Sequence, residues 1–324
     1  MIGITLGDPA GIGPEIVLKA LSSIAARPRT KVLLIGARSA LLRSAGTTGQ
    51  RPAIARLERI PFLDVGLAPA FRFGTAQKAC GEVALRALEA GVCLLRQGAI
   101  SGLVTAPVSK EALRRAGFRF PGQTEFLAAR LGAKHYAMMA YAKGVRGQGS
   151  GAGDRPLRIA FVTIHKPIAD VPAAITAPLV AEKIALLAGF LRRSERISSP
   201  RIAVLALNPH AYEFTRGEEA RIARGIKLAS EAQAEGPFPA DSVGLLMTGY
   251  DGIVAMYHDQ AMIPAKLLAQ GRGVNVTLGL PYVRTSPLHG TAFDIAGKGI
   301  AEADSMRAAI ELCLQLSAQP RLKP

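Results

Sequence analysis

The chain has 324 residues, 49% of them apolar, and carries 40 Lys and Arg against 24 Asp and Glu, a formal net charge of +16. That length allows two α/β domains or one unit with a divided core, and no apolar run approaches the eighteen or so residues of a membrane span. The basic residues are scattered and Trp is absent, so the charge reads as a solvated surface that draws in anionic small molecules, with no nucleic-acid stripe and no membrane partner. The start, Met1-Ile-Gly-Ile, lacks the charged region of a secretory leader. Cys80, Cys93 and Cys313 have no CxxC spacing and read as buried free thiols, which suits a reducing cytoplasm.

Ile2 to Leu6 reads as a strand running into the turn Gly7-Asp-Pro-Ala-Gly-Ile-Gly-Pro-Glu15. A helix is expected from Ile16 to Ala25, with Pro14 suited to its first turn and Glu15 to the positive end of its dipole. Lys31 to Ile35 reads as the next strand, followed by a helix near Ser39 to Ser44 and an unpatterned basic stretch. Thr75 to Arg96 carries Val83, Leu85, Leu88, Val92 and Leu95 at the spacing of a long helix. Ile100 to Val104 is a short strand, and Pro121-Gly-Gln-Thr-Glu125 precedes a helix through Leu131. His135 to Tyr141 and Arg158 to Ile164 read as strands, joined by a Gly-rich connector, Lys143 to Asp154, expected to be a mobile hairpin loop. Ala174 to Arg192 and Gly217 to Ala234 read as helices. Gly273 to Gly299 is too polar for a strand core and reads as site-forming loops before a last helix, Met306 to Gln315.

Arg158 to His165, Arg201 to His210 and Asp251 to His258 share one pattern: a polar start, an apolar run and a histidine. Such runs are strands buried on both faces of a parallel sheet. Helical segments separate them, so His165, His210 and His258 are expected at the carboxyl edge, where open α/β sheets bind ligands. Three neutral imidazoles there can hold a transition metal and leave positions open for substrate. The plain alternative is three unrelated histidines with backbone partners. Equally plain readings exist for single residues: Lys266 and Arg284 as surface cations, Asn275 as a turn residue, Thr124 as a helix cap, Asp294 as a turn or cap residue.

Taken alone, the glycines after the first strand do not match GxGxxG and are a weak nucleotide signal. The segment His289-Gly-Thr-Ala-Phe-Asp-Ile-Ala-Gly-Lys-Gly299, however, resembles the adenine-binding loop of isocitrate and isopropylmalate dehydrogenases. Those enzymes also begin with a strand and a Gly-Asp…Gly-Ile-Gly-Pro-Glu turn. Between these ends come Thr105-Ala-Pro-Val-Ser-Lys110, Pro121-Gly-Gln-Thr-Glu-Phe126, Leu207-Asn-Pro-His210, Gly236-Pro-Phe-Pro-Ala-Asp241, Ala255-Met-Tyr-His-Asp-Gln260 and the segment from Gly273 to Ser286, in that order. Over essentially its whole length the chain is similar to the 4-hydroxythreonine-4-phosphate dehydrogenase (PdxA) family.

The resemblance implies an α/β chain of the isocitrate/isopropylmalate dehydrogenase type, two α/β/α domains with the active site in the interdomain cleft. Residues 1–106 with 265–324 would bind the cofactor, and residues 107–264 the substrate, the metal and a second subunit. It implies oxidation of 4-phosphooxy-L-threonine with NAD or NADP and a divalent metal (zinc, magnesium or cobalt). Decarboxylation would then give 3-amino-2-oxopropyl phosphate, a step of pyridoxal 5'-phosphate biosynthesis. The family's metal ligands fall on His165, His210 and His258, the last supplied across a homodimer with a shared site. Its substrate contacts fall on Gln123, Thr124, Lys266, Asn275 and Arg284, and its cofactor contacts on Gly290, Thr291 and Asp294. Lys266 and Asp259 are the candidates for proton transfer.

Two departures bear on the substrate. Gln123 stands where the family has the histidine of Gly-His-Thr-Glu, and Tyr212 and Phe214 stand where it has glycines after Asn-Pro-His-Ala. They motivate an alternative: the same chemistry on a related 4-phosphorylated hydroxy acid such as D-threonate or D-erythronate 4-phosphate. A three-histidine hydrolase without nicotinamide, and a basic binding protein on an inactive scaffold, are the readings from other classes.

Overall fold

Ile2-Gly-Ile-Thr5 and Gly102-Leu-Val-Thr105 are buried at every residue, as strands are when helices cover both faces of their sheet. The computed structural model describes residues 1–24, 31–57, 60–66, 70–146, 154–230 and 232–318. Its first elements are β1 (Ile2–Thr5), α1 (Gly13–Ile24), β2 (Val32–Gly36), α2 (Arg38–Thr47), α3 (Arg51–Leu57), β3 (Phe62–Asp64), α4 (Lys78–Arg96), β4 (Gly102–Thr105), α5 (Lys110–Arg115) and α6 (Gln123–Arg130). The chain continues through β5 (Ala137–Arg146), β6 (Asp154–Phe161), α7 (Val171–Ala174), α8 (Ala177–Ser194), β7 (Arg201–Leu205), α9 (Glu218–Leu228), β8 (Gln233–Phe238), α10 (Val243–Gly249), β9 (Gly252–Ala255) and α11 (His258–Ala269). It closes with β10 (Val274–Leu278), β11 (Val283–Pro287) and α12 (Asp304–Ser317). No single helix among the described residues is long and apolar enough to cross a membrane.

Two compact units emerge, Met1–Ala133 with Leu280–Pro320, and Lys134–Gly279. Both crossings come later in the chain than the 106/107 and 264/265 expected from sequence. Leu113 of α5 and Phe126 and Leu127 of α6 share a core cluster with Leu88 and Val92 of α4, which keeps them in the first unit. In the second, β10 pairs with β5 and α11 packs on β5.

The first unit's strands run β3-β2-β1-β4-β11, all parallel. Their order reverses at β1, so the loops after β1 and β4 flank a topological switch point, the place where such sheets take ligands. Gly7 makes the turn there possible: its φ is +72°, and a Cβ would lie 2.3 Å from the carbonyl oxygen of Pro107. In the second unit the order is β10-β5-β6-β9-β7-β8. β5 is antiparallel to both β10 and β6, while β6, β9, β7 and β8 are parallel.

Several expectations are corrected. The helix expected from Gly217 to Ala234 ends at Leu228, and Gln233–Phe238 is an edge strand on β7. Much of β8 is exposed, so it carries no apolar signature; its partner strand decides its conformation. Gly273 to Gly299 is not loop throughout but holds β10 and β11, whose Asn275, Arg284, Thr285 and Ser286 mask the pattern. β5 runs on to Arg146, past a bulge between Ala142 and Val145, and pairs Arg146 with Asp154 as a hairpin. The rest of the Gly-rich connector lies outside the described residues. Cys80 and Cys313 are buried, but Cys93 is exposed on the outer face of α4.

Candidate active site

The two motifs from opposite ends of the chain meet in the first unit. Ile12 N–H donates to the Thr291 carbonyl at 3.0 Å, and Gly74 N–H to that of Ala10 at 2.9 Å. A Cβ on Gly11 would stand 3.0 Å from Cβ of Thr291, so any larger residue there would press the loop away from the turn. Gly290 is exposed with open space where a Cβ would be, and Asp294 is also exposed. Asp8 is fully buried on the same turn. Its Oδ1 accepts the Ala10 amide at 2.9 Å, and burial lifts its carboxyl to about 6 against hydrogen bonds from Ala10 and Ser109.

The first unit also gathers three of the five expected substrate contacts, Gln123, Thr124 and Arg284. Arg284 is no surface cation: it is 3% exposed in β11, beside Leu103 of β4. Its Nη2 donates to Thr105 Oγ1 at 2.7 Å and to Gln123 Oε1 at 3.5 Å, and its Nη1 to Thr124 Oγ1 at 3.4 Å. Burial pushes the guanidinium down to about 10 while Glu125 opposes the shift, so it stays charged at neutral pH. Thr124 does not cap its helix; Gly122 holds that place, and the hydroxyl faces Arg284. The Glu125 carboxylate keeps a buried Oε2 with no hydrogen-bond partner among the described residues.

The second unit carries the histidines. Because β6, β9 and β7 are adjacent and parallel, His165, His210 and His258 all follow the carboxyl ends of neighbouring strands, as the sequence pattern predicts. Hydrogen bonds fix that edge. Thr163 donates its N–H and its hydroxyl to the Met256 carbonyl, at 3.1 and 2.8 Å. Gln260 accepts the Met256 amide and donates to the Ala206 carbonyl, both at 2.7 Å, tying the end of β9 to the end of β7. Asn208 donates its backbone N–H to Glu219 Oε1 at 2.9 Å. This anchors the His210 backbone, whose φ of +53° is strained for a non-glycine residue. Thr163, Gln260 and Glu219 escaped the sequence reading; the Gln of Tyr-His-Asp-Gln was the one signal available.

The rings of His165 and His258 lie 5.9 Å apart, centroid to centroid. His258 Nδ1 is 2.6 Å from Asp259 Oδ1, and His210 Nδ1 is 2.8 Å from Glu213 Oε2. An ionised carboxylate can only accept, so Nδ1 is the proton-bearing nitrogen in both pairs, and a neutral ring held this way would turn its Nε2 lone pair outward. That is how imidazoles are prepared for a metal. This donor set fits a divalent ion. The His210 ring contacts Glu213 and Phe214, and among the described residues of one chain no three His, Cys, Asp or Glu close on one point. Asn275 sits in β10 opposite Ala140, not in a turn, and its Oδ1 is buried with no partner among the described residues. Lys266 is exposed on α11, the helix that begins with His258 and Asp259.

The chain is similar to known proteins along nearly its whole length. The 4-hydroxythreonine-4-phosphate dehydrogenase of Caulobacter vibrioides is 42% identical over 98% of this chain and 98% of its own. The crystal structure of the enzyme of that name from Klebsiella pneumoniae superposes with a TM-score of 0.81 at 35% identity, covering 98% of this chain and 99% of that one. A terephthalate 1,2-cis-dihydrodiol dehydrogenase from Burkholderia xenovorans LB400 follows at 27% identity and a TM-score of 0.62, with 97% of each chain covered. Residues 19–313 match the family described as pyridoxal phosphate biosynthetic protein PdxA, and the chain belongs to that family.

Proposed function

We propose that the chain is a cytoplasmic dehydrogenase that oxidises 4-phosphooxy-L-threonine, with decarboxylation to 3-amino-2-oxopropyl phosphate, in pyridoxal 5'-phosphate biosynthesis. The observation that carries the proposal is the contact between Ile12 and Thr291, which builds the turn and the family's cofactor loop into one surface. Gly290, Thr291 and Asp294 on that surface fit NAD or NADP.

A divalent ion (zinc, magnesium or cobalt) would lower the pKa of the secondary hydroxyl, and the dinucleotide would accept the hydride. His165, His210 and His258 would hold the ion, with Asp259 and Glu213 fixing two of the rings. Arg284 offers a planar fork to a phosphate or carboxylate, oriented by Thr105 and Thr124. Lys266 and Asn275 would offer a point charge and an amide to a phosphorylated acid. The hydroxyl proton leaves through Lys266 or Asp259. A homodimer completes the site with His258 of the second subunit, and the exposed Ile263 and Leu267, one helical turn apart on α11, suit a covered face.

A second reading keeps the chemistry and changes the acid. Gln123 beside Arg284 offers an amide where the family has an imidazole, and Tyr212, 54% exposed, adds bulk after His210. Both favour a test of D-threonate and D-erythronate 4-phosphates. The deciding experiment follows NADH formation by metal-loaded protein with 4-phosphooxy-threonine beside those two acids. Turnover of the amino acid alone supports the first reading, and preference for an acid without nitrogen supports the second. No dinucleotide reduction with any of them sinks both.

A further inference from the structure

Lys19 lies on α1, one turn after Glu15, and its ammonium is saturated. Its three protons meet three acceptors: Glu15 Oε1 at 2.8 Å, the Gly299 carbonyl at 2.9 Å and the Ala301 carbonyl at 2.7 Å. Glu15 Oε1 also accepts the Ala301 amide at 2.9 Å. The Glu15 side chain is 1% exposed and that of Lys19 29%. The pair therefore grips both backbone groups of Ala301 and one of Gly299.

These contacts fall at one end of the loop whose other end is held by Ile12 through Thr291. Between the two anchors the loop has little structure of its own. It contains the single-turn bonds Ile295 N–H to Ala292 and Lys298 N–H to Ile295, and positive φ at Ala292, Gly297 and Gly299. Its outer side is open at Gly290 and Asp294. A segment with few internal bonds takes its shape from what holds it: Phe293 packs on the cluster around Phe71, Gly297 lies against Phe73, and the ends are tied to α1 and the turn before it. A compact ammonium with three donors can hold three convergent acceptors, which a planar guanidinium cannot.

We infer that Glu15 and Lys19 are positioning residues for the dinucleotide: they set the shape of the 289–301 loop before the cofactor arrives. They therefore govern cofactor affinity and leave turnover alone. The inference rests on the reading of that loop as the dinucleotide site. Preorganisation of this kind lowers the ordering cost of binding without adding a contact to the ligand.

The test uses the full-length, metal-loaded protein and its Lys19→Met and Lys19→Gln variants. NADH binding is titrated by fluorescence without substrate, and amide exchange of residues 289–301 is read by mass spectrometry. The expected result is a rise of roughly tenfold in NADH Kd and in KM for the oxidised dinucleotide. Exchange should quicken in the loop and not in β1 or β4, while kcat and KM for the phosphorylated acid stay within about twofold. Glu15→Gln keeps an acceptor for the Ala301 amide and should have a smaller effect. Wild-type binding matched by both Lys19 variants overturns the inference and leaves the cofactor reading standing. Exchange that rises throughout the unit, with kcat lost at constant KM, marks Lys19 as a stability residue and also overturns it. Failure of the wild type to bind NADH removes the cofactor reading, and the inference with it.

Discussion

Ile12 donates its amide proton to Thr291 at 3.0 Å, a bond between the first turn of the chain and a loop near its other end. Gly11 keeps that contact relaxed: a Cβ there would crowd both Cβ and the carbonyl oxygen of Thr291, at 3.0 and 3.1 Å. Gly11→Val should displace the loop and weaken dinucleotide binding several-fold with only a modest loss of stability. A binding titration paired with a thermal melt would show it; unaltered affinity would separate the loop from the cofactor.

Gly7→Ala is expected to act on folding. The substitution combines a left-handed φ with a 2.3 Å approach to a backbone oxygen that cannot rotate away, and should cost about 1–3 kcal/mol or more. Urea unfolding would measure it.

Asp8 should make stability depend on pH. Burial raises its folded pKa from the ordinary 3.8 to about 6, so the folded state binds the proton more tightly than the unfolded one. Its contribution is fully present below about pH 4, is lost as pH rises towards about 6, and changes no further above that. Asp8→Asn should flatten this slope and raise stability at pH 7 by at most ~3 kcal/mol. Denaturant titrations of both proteins from acid to neutral pH would show the difference; parallel curves would mean that Asp8 titrates normally.

Arg284→Lys should not behave as a conservative change. Lysine keeps the charge but loses the fork that reaches Thr105, Thr124 and Gln123 together. KM for the phosphorylated substrate should rise by about tenfold or more, with cofactor binding unaltered. Initial-rate kinetics with each ligand varied in turn would separate the two.

Asp259→Asn should weaken metal binding by roughly 10–100-fold while leaving His258 in place, because the amide no longer dictates which ring nitrogen carries the proton. Glu213→Gln should do the same through His210. Calorimetric titration with zinc or cobalt gives the answer directly. Equal affinity in both variants would mean that neither carboxylate tunes a ligand.

The sheet edge that carries the histidines was legible because the ends of β6, β7 and β9 (159–161, 202–205 and 252–255) are apolar and buried at every residue, so each announces itself locally. β8, β10 and β11 were not. The first is a half-exposed edge strand, and the other two place Asn275 and Arg284 where a core residue would have given the pattern away. Arg284 came only from the family resemblance; nothing local distinguishes a buried arginine from a surface one. The supporting residues were out of reach for another reason. Gln260 is defined by an acceptor 54 positions away and Lys19 by acceptors 280 and 282 positions away, separations at which local pattern carries no information.

Those same separations impose an order on synthesis. The first unit takes β1, β4 and α1 from the beginning of the chain and β11, α12 and the loop from its end. At the usual elongation rates, the 280 residues between Lys19 and Gly299 take roughly 15 to 55 seconds to translate. Until the last part of the chain is made, β4 has no β11 beside it, Lys19 has no carbonyls to hold, and the turn after β1 has no loop to rest against. The second unit, continuous from Lys134 to Gly279, has all of its described strands by then. A nascent chain would thus have all its histidine-bearing strands made before the 289–301 loop exists, and the turn after β1 would be the last to gain its partner.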